Sequence, residues 1–494
     1  MNPPPSRLED EQFRTPLFDA MVNLAESRKV SFHTPGHKSG KGIATRFRKF
    51  VGPRVFSIDL TTLDEVDSLQ NPTGVIKEAQ ELAAKSAGAD RSYFLVNGTT
   101  VGNHAMVAST TGPGDRVLIA RNCHRSVLTG LIMSGAQPIF FQPTFDRDLK
   151  LTLNVTFDTV REAINANPGA RALLLTSPNY YGLCADVERI TAFAHEKGLL
   201  VFVDEAHGPH LKFHPKLPKC ALEAGADMCV QSTHKIVGGM TQASMLHANA
   251  LRVNLDDVTN TLKLLQTTSP SYILMASLDL ARMQMATEGK KLLTRTIKLA
   301  EEARARINLI PGVTCFTKDQ AKQAGMADMD VTKMTITVSD MGLSGYHVSH
   351  ELNTRFDIQV EMADPFHVLV IVSIGDRQDD LERLVAALKV ISAETGLQGA
   401  LLPLDKVHPP LLTNPFIMTP RDAFYSDSEL VDVNDSVGRV STEIVTVYPP
   451  GIPLLVPGEE ISQDALNYLR NMAGLGAIID GLNENNSLVR VAKV

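Results

Sequence analysis

The sequence predicts an α/β fold with a mostly parallel sheet in a large domain and a smaller α/β domain after it. In the large domain, short apolar runs alternate with helical patterns, as in sheets that helices cover on both faces. A long helical stretch then stops at Ile310-Pro311-Gly312, and shorter strands follow it. We therefore predict an N-terminal segment over residues 1–55, a large domain over 56–310 and a smaller domain over 311–494.

The individual elements follow from hydrophobic periodicity and from turn residues. The predicted helices are Leu17–Arg28, Val75–Ala87, Asp186–Lys197 and Tyr272–Leu309. The predicted strands are Tyr93–Val96, Arg116–Ala120, Ala136–Phe141, Arg171–Thr176, Leu199–Val203, Asp227–Val230, Met334–Val338, Ile358–Met362 and Val368–Ile374.

The composition excludes several classes of protein. With 494 residues, 44% of them hydrophobic, and a net charge of -7, general attraction to nucleic acid or to an anionic membrane is not expected. Five scattered cysteines without a CxxC pair indicate a reduced, cytoplasmic compartment. The Pro-rich start has no apolar stretch and is not expected to be a secretory signal, and no run is apolar enough to predict a membrane span.

Polar residues follow five of the predicted strands, at the edge where open parallel sheets bind ligands. They supply hydroxyl groups, two histidines, one aspartate and one lysine. In order they are Asn97-Gly98-Thr99-Thr100, Arg121-Asn122-Cys123-His124, Thr176-Ser177-Pro178-Asn179, Asp204, and Gln231-Ser232-Thr233-His234-Lys235.

Two functions suggested by the loop after Leu199–Val203 are disfavoured. The tetrapeptide Asp204-Glu205-Ala206-His207 also occurs in helicases, but a nucleotide-binding P-loop is missing. The nearest glycine-rich text, residues 36–42, is one residue short between its glycines, and a glycine replaces the hydroxyl residue that binds magnesium. A zinc site at His207, His210 and His214 matches no strong spacing, so a polar loop is favoured and no metal is expected.

A lysine in an apolar, glycine-rich setting tends to have a lowered pKa and can act as an amine nucleophile. Lys235 lies in such a setting, and the natural electrophile for it is the aldehyde cofactor pyridoxal 5'-phosphate (PLP). Asp204 would pair with the pyridine nitrogen, and His124 would stack on the ring. The candidates for the phosphate are Gly98, Thr99 and Thr100, which precede a predicted helix, and Ser232 and His234, which lie beside the lysine.

The text around Lys235 resembles the PLP-lysine signature of the ornithine/lysine/arginine decarboxylases, which have the aspartate aminotransferase-like fold (PLP fold type I). The resemblance covers nearly the whole chain. The matching segments are Gln231-Ser232-Thr233-His234-Lys235, Thr34-Pro35-Gly36-His37-Lys38, Asn97-Gly98-Thr99-Thr100, Arg121-Asn122-Cys123-His124, Asp204-Glu205-Ala206-His207, Thr267-Thr268-Ser269-Pro270, Tyr448-Pro449-Pro450-Gly451 and Pro457-Gly458-Glu459.

The resemblance implies a role for each matching residue. It implies that Lys235 is the Schiff-base lysine, that Ala206 lies against the ring, and that Thr267 reaches the phosphate of a neighbouring subunit. A homodimer or higher homo-oligomer, with the active site at the subunit interface, is therefore expected. The chain is similar to the short form of the family, without an N-terminal wing domain. The expected catalytic residues are Lys235, His124, Asp204 and His207, and the expected substrate contacts are His37 and Glu443.

The reaction that the resemblance implies is α-decarboxylation of a basic L-amino acid, which releases CO2 and a di- or polyamine precursor. Arginine to agmatine is favoured, lysine to cadaverine comes next, and the sequence does not separate these from ornithine. Two alternatives stay open. One is a different PLP reaction on the same fold, such as that of an aminotransferase or an aldolase, and the other is an inactive PLP-binding regulatory homologue.

Overall fold

The computed structural model describes residues 11–27, 29–395, 414–448, 451–483 and 485–493. The Pro-rich start, Arg28 at the end of the first predicted helix, and Pro449-Pro450 of the C-terminal motif lie outside the described residues.

The strands, in chain order, are β1 (Arg91–Leu95), β2 (Arg116–Ala120), β3 (Gln137–Phe141), β4 (Phe145–Asp146), β5 (Leu151–Thr152), β6 (Ala172–Thr176), β7 (Leu183–Cys184), β8 (Leu200–Asp204), β9 (Met228–Gln231), β10 (Ser244–Ala248), β11 (Thr314–Cys315), β12 (Asp328–Met329), β13 (Lys333–Thr337), β14 (Met362–Ala363), β15 (His367–Ile371), β16 (Ser428–Asp432), β17 (Val445–Tyr448), β18 (Ile452–Leu455), β19 (Ile478–Asp480) and β20 (Leu488–Ala492).

The α-helices are α1 (Pro16–Glu26), α2 (Thr45–Val51), α3 (Arg54–Ser57), α4 (Val75–Ala87), α5 (Gly98–Ala108), α6 (Arg125–Ser134), α7 (Phe157–Ala166), α8 (Val187–Glu196), α9 (Thr233–Ile236), α10 (Leu255–Leu265), α11 (Tyr272–Ile307), α12 (Lys318–Gln323), α13 (Gly345–Phe356), α14 (Gln378–Thr395), α15 (Pro420–Tyr425) and α16 (Gln463–Gly474). Short 3-10 turns span Leu211–Phe213, Ser339–Met341 and Val433–Asp435.

The largest sheet has seven strands in the order β1-β10-β9-β8-β6-β2-β3. β2 pairs in parallel with β3 and β6, whereas β10 pairs antiparallel with β1 and β9. The parallel strands are almost fully buried and read as continuous apolar runs, because helices cover both faces of such a sheet. The predicted α/β class with a mostly parallel central sheet is confirmed.

The chain divides into two compact units. The first contains the residues up to Ser109 together with Asp204–Leu293, and its core includes Phe94, Met245 and Tyr272. Apolar residues of α1, α4 and the start of α11 contribute to this core. Every residue of the candidate site described below that contacts Lys235 or Asp204 belongs to this unit.

The second unit contains Thr110–Val203 and the residues from Thr294 onward. It includes a four-stranded sheet, β11-β13-β15-β14, whose pairings are antiparallel and whose apolar face packs with α13 and α14. Near the C-terminus, β18-β17-β19 and β16-β20 share a core with α16.

Most predicted elements are confirmed to within a few residues, but the strand Ile358–Met362 is wrong and several observed strands were not predicted, among them β10 and the five strands β16 to β20 near the C-terminus. Residues 358–361 form no strand, and only Met362 of the predicted Ile358–Met362 joins a ladder. Ile358 and Val360 still pack against the core, so their alternation reflects burial of an extended segment rather than strand pairing. β10 was missed because its residues were interpreted only as part of a motif.

Candidate active site

Asp204 ends β8 and is almost fully buried, with 3% of its surface exposed. Its Oδ2 accepts a hydrogen bond from Asn103 Nδ2 at 2.8 Å, and its Oδ1 accepts one from the Ala206 backbone N–H at 3.1 Å. The two donors fix the carboxylate in one orientation. A buried carboxylate with two donors still has lone pairs for a cationic or N–H partner.

The N-terminus of α5 lies directly after β1. Asn97, at the cap position, makes no side-chain hydrogen bond to the first turn, and Gly98 adopts a left-handed φ of 67°, which glycine tolerates. The sequence placed Gly98, Thr99 and Thr100 before the helix, but they form its first turn because the chain bends into the helix at Asn97. Their N–H groups therefore point out of the helix start, where an anion is stabilised.

Two hydroxyl groups converge near that helix start. Thr99 Oγ1 lies 3.2 Å from Ser232 Oγ, although the two residues are far apart in the sequence. Ser232 is buried and follows β9. Backbone N–H groups at a helix N-terminus together with two hydroxyls form a donor set that suits a phosphate group.

Lys235 lies on the short helix α9, directly after β9. Its Nζ is 2.9 Å from Nε2 of His207, which is 2% exposed. The neighbouring His234 contacts the Ala243 carbonyl oxygen through Nδ1 at 3.0 Å, so it lines the same turn. The structure thus brings the predicted nucleophile and a predicted catalytic histidine into direct contact.

Ala206 connects the two loops of the site. It is 8% exposed, and its carbonyl oxygen accepts a hydrogen bond from the Ser232 backbone N–H at 3.3 Å. The small residue is compatible with a flat group that lies over the end of β8.

The structure shows different contacts for His124, Thr267, His37 and Glu443. His124 caps α6 and accepts from the Ser126 backbone N–H through Nδ1 at 3.2 Å. Thr267 is exposed, and its hydroxyl accepts from the Ser269 N–H. His37 Nε2 lies 3.0 Å from Asp59 Oδ2. Glu443 Oε1 accepts from Arg490 Nε at 3.0 Å.

Asn103 was missed by the sequence analysis, although it orients Asp204. A signal was present: Asn103 lies four residues after Thr99, so both are on the same face of α5. It is also a polar residue in a helix whose neighbouring turns are mostly apolar, and a buried amide needs hydrogen-bond partners.

Comparison with known proteins identifies the family. The profile described as "Orn/Lys/Arg decarboxylase, major domain" matches residues 15–380, and the one described as "Orn/Lys/Arg decarboxylase, C-terminal domain" matches residues 413–486. The chain belongs to the Orn/Lys/Arg decarboxylase family. The predicted family and the predicted enzyme class, an amino acid decarboxylase, are therefore confirmed.

Relatives in this family are similar over almost the whole chain. The chain is 40% identical to an arginine decarboxylase of Bacillus subtilis (strain 168), in an alignment of 486 residues that covers 98% of both chains. It is 41% identical to an arginine decarboxylase of Bacillus anthracis, over 95% of both chains. The inducible lysine decarboxylase of Escherichia coli (strain K12) is 26% identical over 96% of this chain and 79% of that one.

Solved structures confirm the fold class of this Orn/Lys/Arg decarboxylase family member. A lysine decarboxylase from Francisella novicida superposes with a TM-score of 0.84 at 22% identity, over 98% of this chain and 82% of that one. An alanine–glyoxylate aminotransferase from Nostoc sp. superposes with a TM-score of 0.54 at 18% identity, over 66% of this chain and 88% of that one. At these identities the likeness concerns the fold alone. Within the described residues, no helix is both long and apolar enough to cross a membrane.

Proposed function

We propose that this enzyme uses PLP to remove the α-carboxylate of a basic L-amino acid as CO2, with arginine as the favoured substrate and lysine as the next. The observation that carries the proposal is the cluster in the first compact unit. It contains a buried Asp204, a Lys235–His207 contact and a phosphate-type donor set at the start of α5.

The described residues fit the separate parts of PLP. The first turn of α5, with Thr99 and Ser232, would hold the phosphate, and Ala206 leaves room for the ring. Asp204 would hold the protonated pyridine nitrogen, and Lys235 would take the aldehyde carbon. His124 and His234 are proposed as further contacts with the ring and the phosphate. Bound PLP would supply an electron sink for the bond that breaks at Cα.

His207 is proposed to move a proton at Lys235. An ammonium group must lose a proton before its nitrogen can act as a nucleophile. Nε2 of a neutral His207, at 2.9 Å from Lys235 Nζ, is placed to accept that proton and to return it. We propose the same pair as the proton source for Cα after CO2 has left, because general acid–base groups must lie within hydrogen-bond reach.

The choice of substrate rests on the relatives and on two candidate contacts. The relatives with about 40% identity are named arginine decarboxylases, whereas the lysine decarboxylase relative is only 26% identical. A guanidinium group binds best to a carboxylate. We propose Glu443 for this role, although a substrate would have to compete there with Arg490. His37, which contacts Asp59, is proposed as a second contact with the substrate.

A homodimer with the active site at the subunit interface is also proposed. Thr267 is exposed to solvent in the single chain, as expected for a residue that serves a neighbouring subunit. Between residues 30 and 51, large apolar side chains are exposed, including Val30 at 79%, Phe32 at 92% and Phe50 at 90%. Several exposed large apolar side chains in one segment of the chain are compatible with an interface. The five buried cysteine thiols support a cytoplasmic enzyme.

The test is release of CO2 from arginine, lysine and ornithine, each assayed separately with the PLP-loaded protein. We expect the highest kcat/KM for arginine, with agmatine as the product. The Lys235→Ala protein should fold but lack the visible absorbance of lysine-linked PLP. Formation of a keto acid without CO2 would favour an aminotransferase, and a normal lysine-linked absorbance in Lys235→Ala would refute the assignment of the lysine.

A further inference from the structure

Glu205, between Asp204 and Ala206, takes no part in the cluster around Lys235 and is 1% exposed. Its Oε1 accepts from the Ala221 backbone N–H at 2.7 Å, and its Oε2 accepts from Gln231 Nε2 at 2.6 Å. Gly208 makes room for this side chain, since a Cβ at Gly208 would lie 2.5 Å from Glu205 Cγ. The Glu205 side chain is therefore closely packed and lies outside the cluster around Lys235.

The hydrogen bonds continue from Glu205 across three strands. Gln231, the last residue of β9, contacts His247 Nε2 on β10 through its Oε1 at 3.2 Å. His247 Nδ1 then contacts the hydroxyl of Ser92 on β1 at 2.6 Å. Glu205, His247 and Ser92 are all buried. One side-chain network thus links the loop after β8 to β9, β10 and β1.

The protonation states determine which group donates and which group accepts in each hydrogen bond of this network. Burial lowers the pKa of His247 to about 4, so its ring is neutral near pH 7 and carries one N–H. That N–H donates to Gln231 Oε1, and the Ser92 hydroxyl donates to Nδ1. The Gln231 amide then donates to Glu205, and each of these donors has an acceptor.

A carboxyl group is costly in this place. Burial raises the pKa of Glu205 to about 8, because loss of water disfavours the charged form. An apolar side chain of the same size would avoid that cost. The carboxyl group is present despite this cost. Its hydrogen bonds therefore indicate a role beyond packing.

Gln231 directly precedes Ser232 and the turn that carries Lys235. Backbone hydrogen bonds also connect the loop after β8 with the end of β9 and the turn after it. Glu205 N donates to Val230 O at 3.0 Å, and Ser232 N donates to Ala206 O at 3.3 Å. The Glu205–Gln231 bond is the side-chain part of this connection. The spacing of the two loops determines the distance between His207 and Lys235.

We propose that Glu205 is a positioning residue, which acts through Gln231 to hold the Lys235 turn at the distance from His207 that the reaction requires. The proposal rests on the proposed function, because it assumes that Lys235 forms the covalent link to PLP. Glu205 itself touches neither the cofactor nor the substrate.

The test measures how fast the visible absorbance of lysine-linked PLP appears after PLP is mixed with the full-length protein freed of PLP. Glu205→Met keeps the size and removes the acceptors, and Gln231→Leu removes the amide through which Glu205 acts. We expect about a tenfold or greater fall in rate for each, since small displacements of reacting groups are costly. The double variant should be no slower than the slower single variant, because both changes break one connection.

Two further variants separate positioning from packing. Glu205→Gln can keep the bond if the Gln231 amide turns over and His247 changes its tautomer, so we expect a rate within about threefold of wild type. Glu223→Gln removes an exposed carboxylate from the same segment and should leave the rate unchanged.

The outcomes are distinct. A wild-type rate for Glu205→Met or Gln231→Leu, or additive effects in the double variant, overturns the proposal. If Glu205→Met does not fold, the rate of Gln231→Leu decides alone. A wild-type protein that links PLP but releases no CO2 refutes the proposed function and leaves this comparison valid, because the readout is the link itself. A wild-type protein that forms no link overturns both.

Discussion

The ion pair between Arg121 and Glu459 joins two of the sequence motifs inside the second compact unit, and its loss should destabilise the enzyme. The side chains are 4% and 2% exposed, and Arg121 Nη2 lies 2.9 Å from Glu459 Oε2. At an effective dielectric constant of about 20, two unit charges at this distance attract by about 6 kcal/mol. Desolvation opposes this attraction and outweighs it for the carboxyl group itself, since burial raises the pKa of Glu459. Glu459→Ala would nevertheless leave the guanidinium buried beside Phe140 without its charge partner. We therefore expect the free energy of unfolding to fall by about 3–5 kcal/mol.

Urea unfolding, followed by circular dichroism, measures this loss as a shift of the midpoint. Glu459→Gln should lose less than Glu459→Ala, because its amide oxygen can still accept from Arg121 and from the Val456 N–H, which bonds to the same carboxylate oxygen. Glu394→Ala is the matched control, since its pair with Arg355 is exposed and should contribute less than about 1 kcal/mol. A loss below about 1 kcal/mol for Glu459→Ala would refute the reasoning.

Three other predictions concern the site and the backbone. Asn103→Ala should lower CO2 release about tenfold or more while lysine-linked PLP still absorbs, because Asp204 loses the side-chain donor of the two that orient it; unchanged turnover would contradict this. Gly458→Ala should cost at least about 2 kcal/mol, since a left-handed φ of 92° combines with a Cβ that would lie 2.3 Å from the Met418 carbonyl oxygen; Gly438→Ala, also left-handed but in open space, should cost less in the same urea titration. Glu205 has a folded-state pKa of about 8 against its ordinary 4.5, so its contribution to stability is complete below pH 4.5 and is lost as the pH rises through 8. The wild-type free energy of unfolding should therefore fall across that window, by at most about 5 kcal/mol, whereas a Glu205→Gln protein should show a flatter profile between about pH 5 and about pH 9; parallel profiles would show that Glu205 does not titrate there.

The sequence predicted six strands of the large domain and several of its helices because the signals for them are local. β2 was predicted with the observed bounds, and α8 begins directly after Asp186, whose side chain caps it. The same signals misjudged Ile358–Met362, where period-two burial occurs without a pairing strand. They also gave no sign of β10, whose antiparallel pairing depends on partners that are distant in the sequence.

For the site, the sequence determined which residue types follow which strands, and it singled out Asp204, His207 and Lys235 as candidates. Only the tertiary structure decided how three neighbouring side chains divide their contacts: Asp204 accepts from Asn103, Glu205 accepts from Gln231, and His207 meets Lys235. The direction of a side chain at the end of a strand depends on the local backbone and on the packing around it. Its partners lie between 26 and 101 residues away in the chain, beyond the reach of any local periodicity.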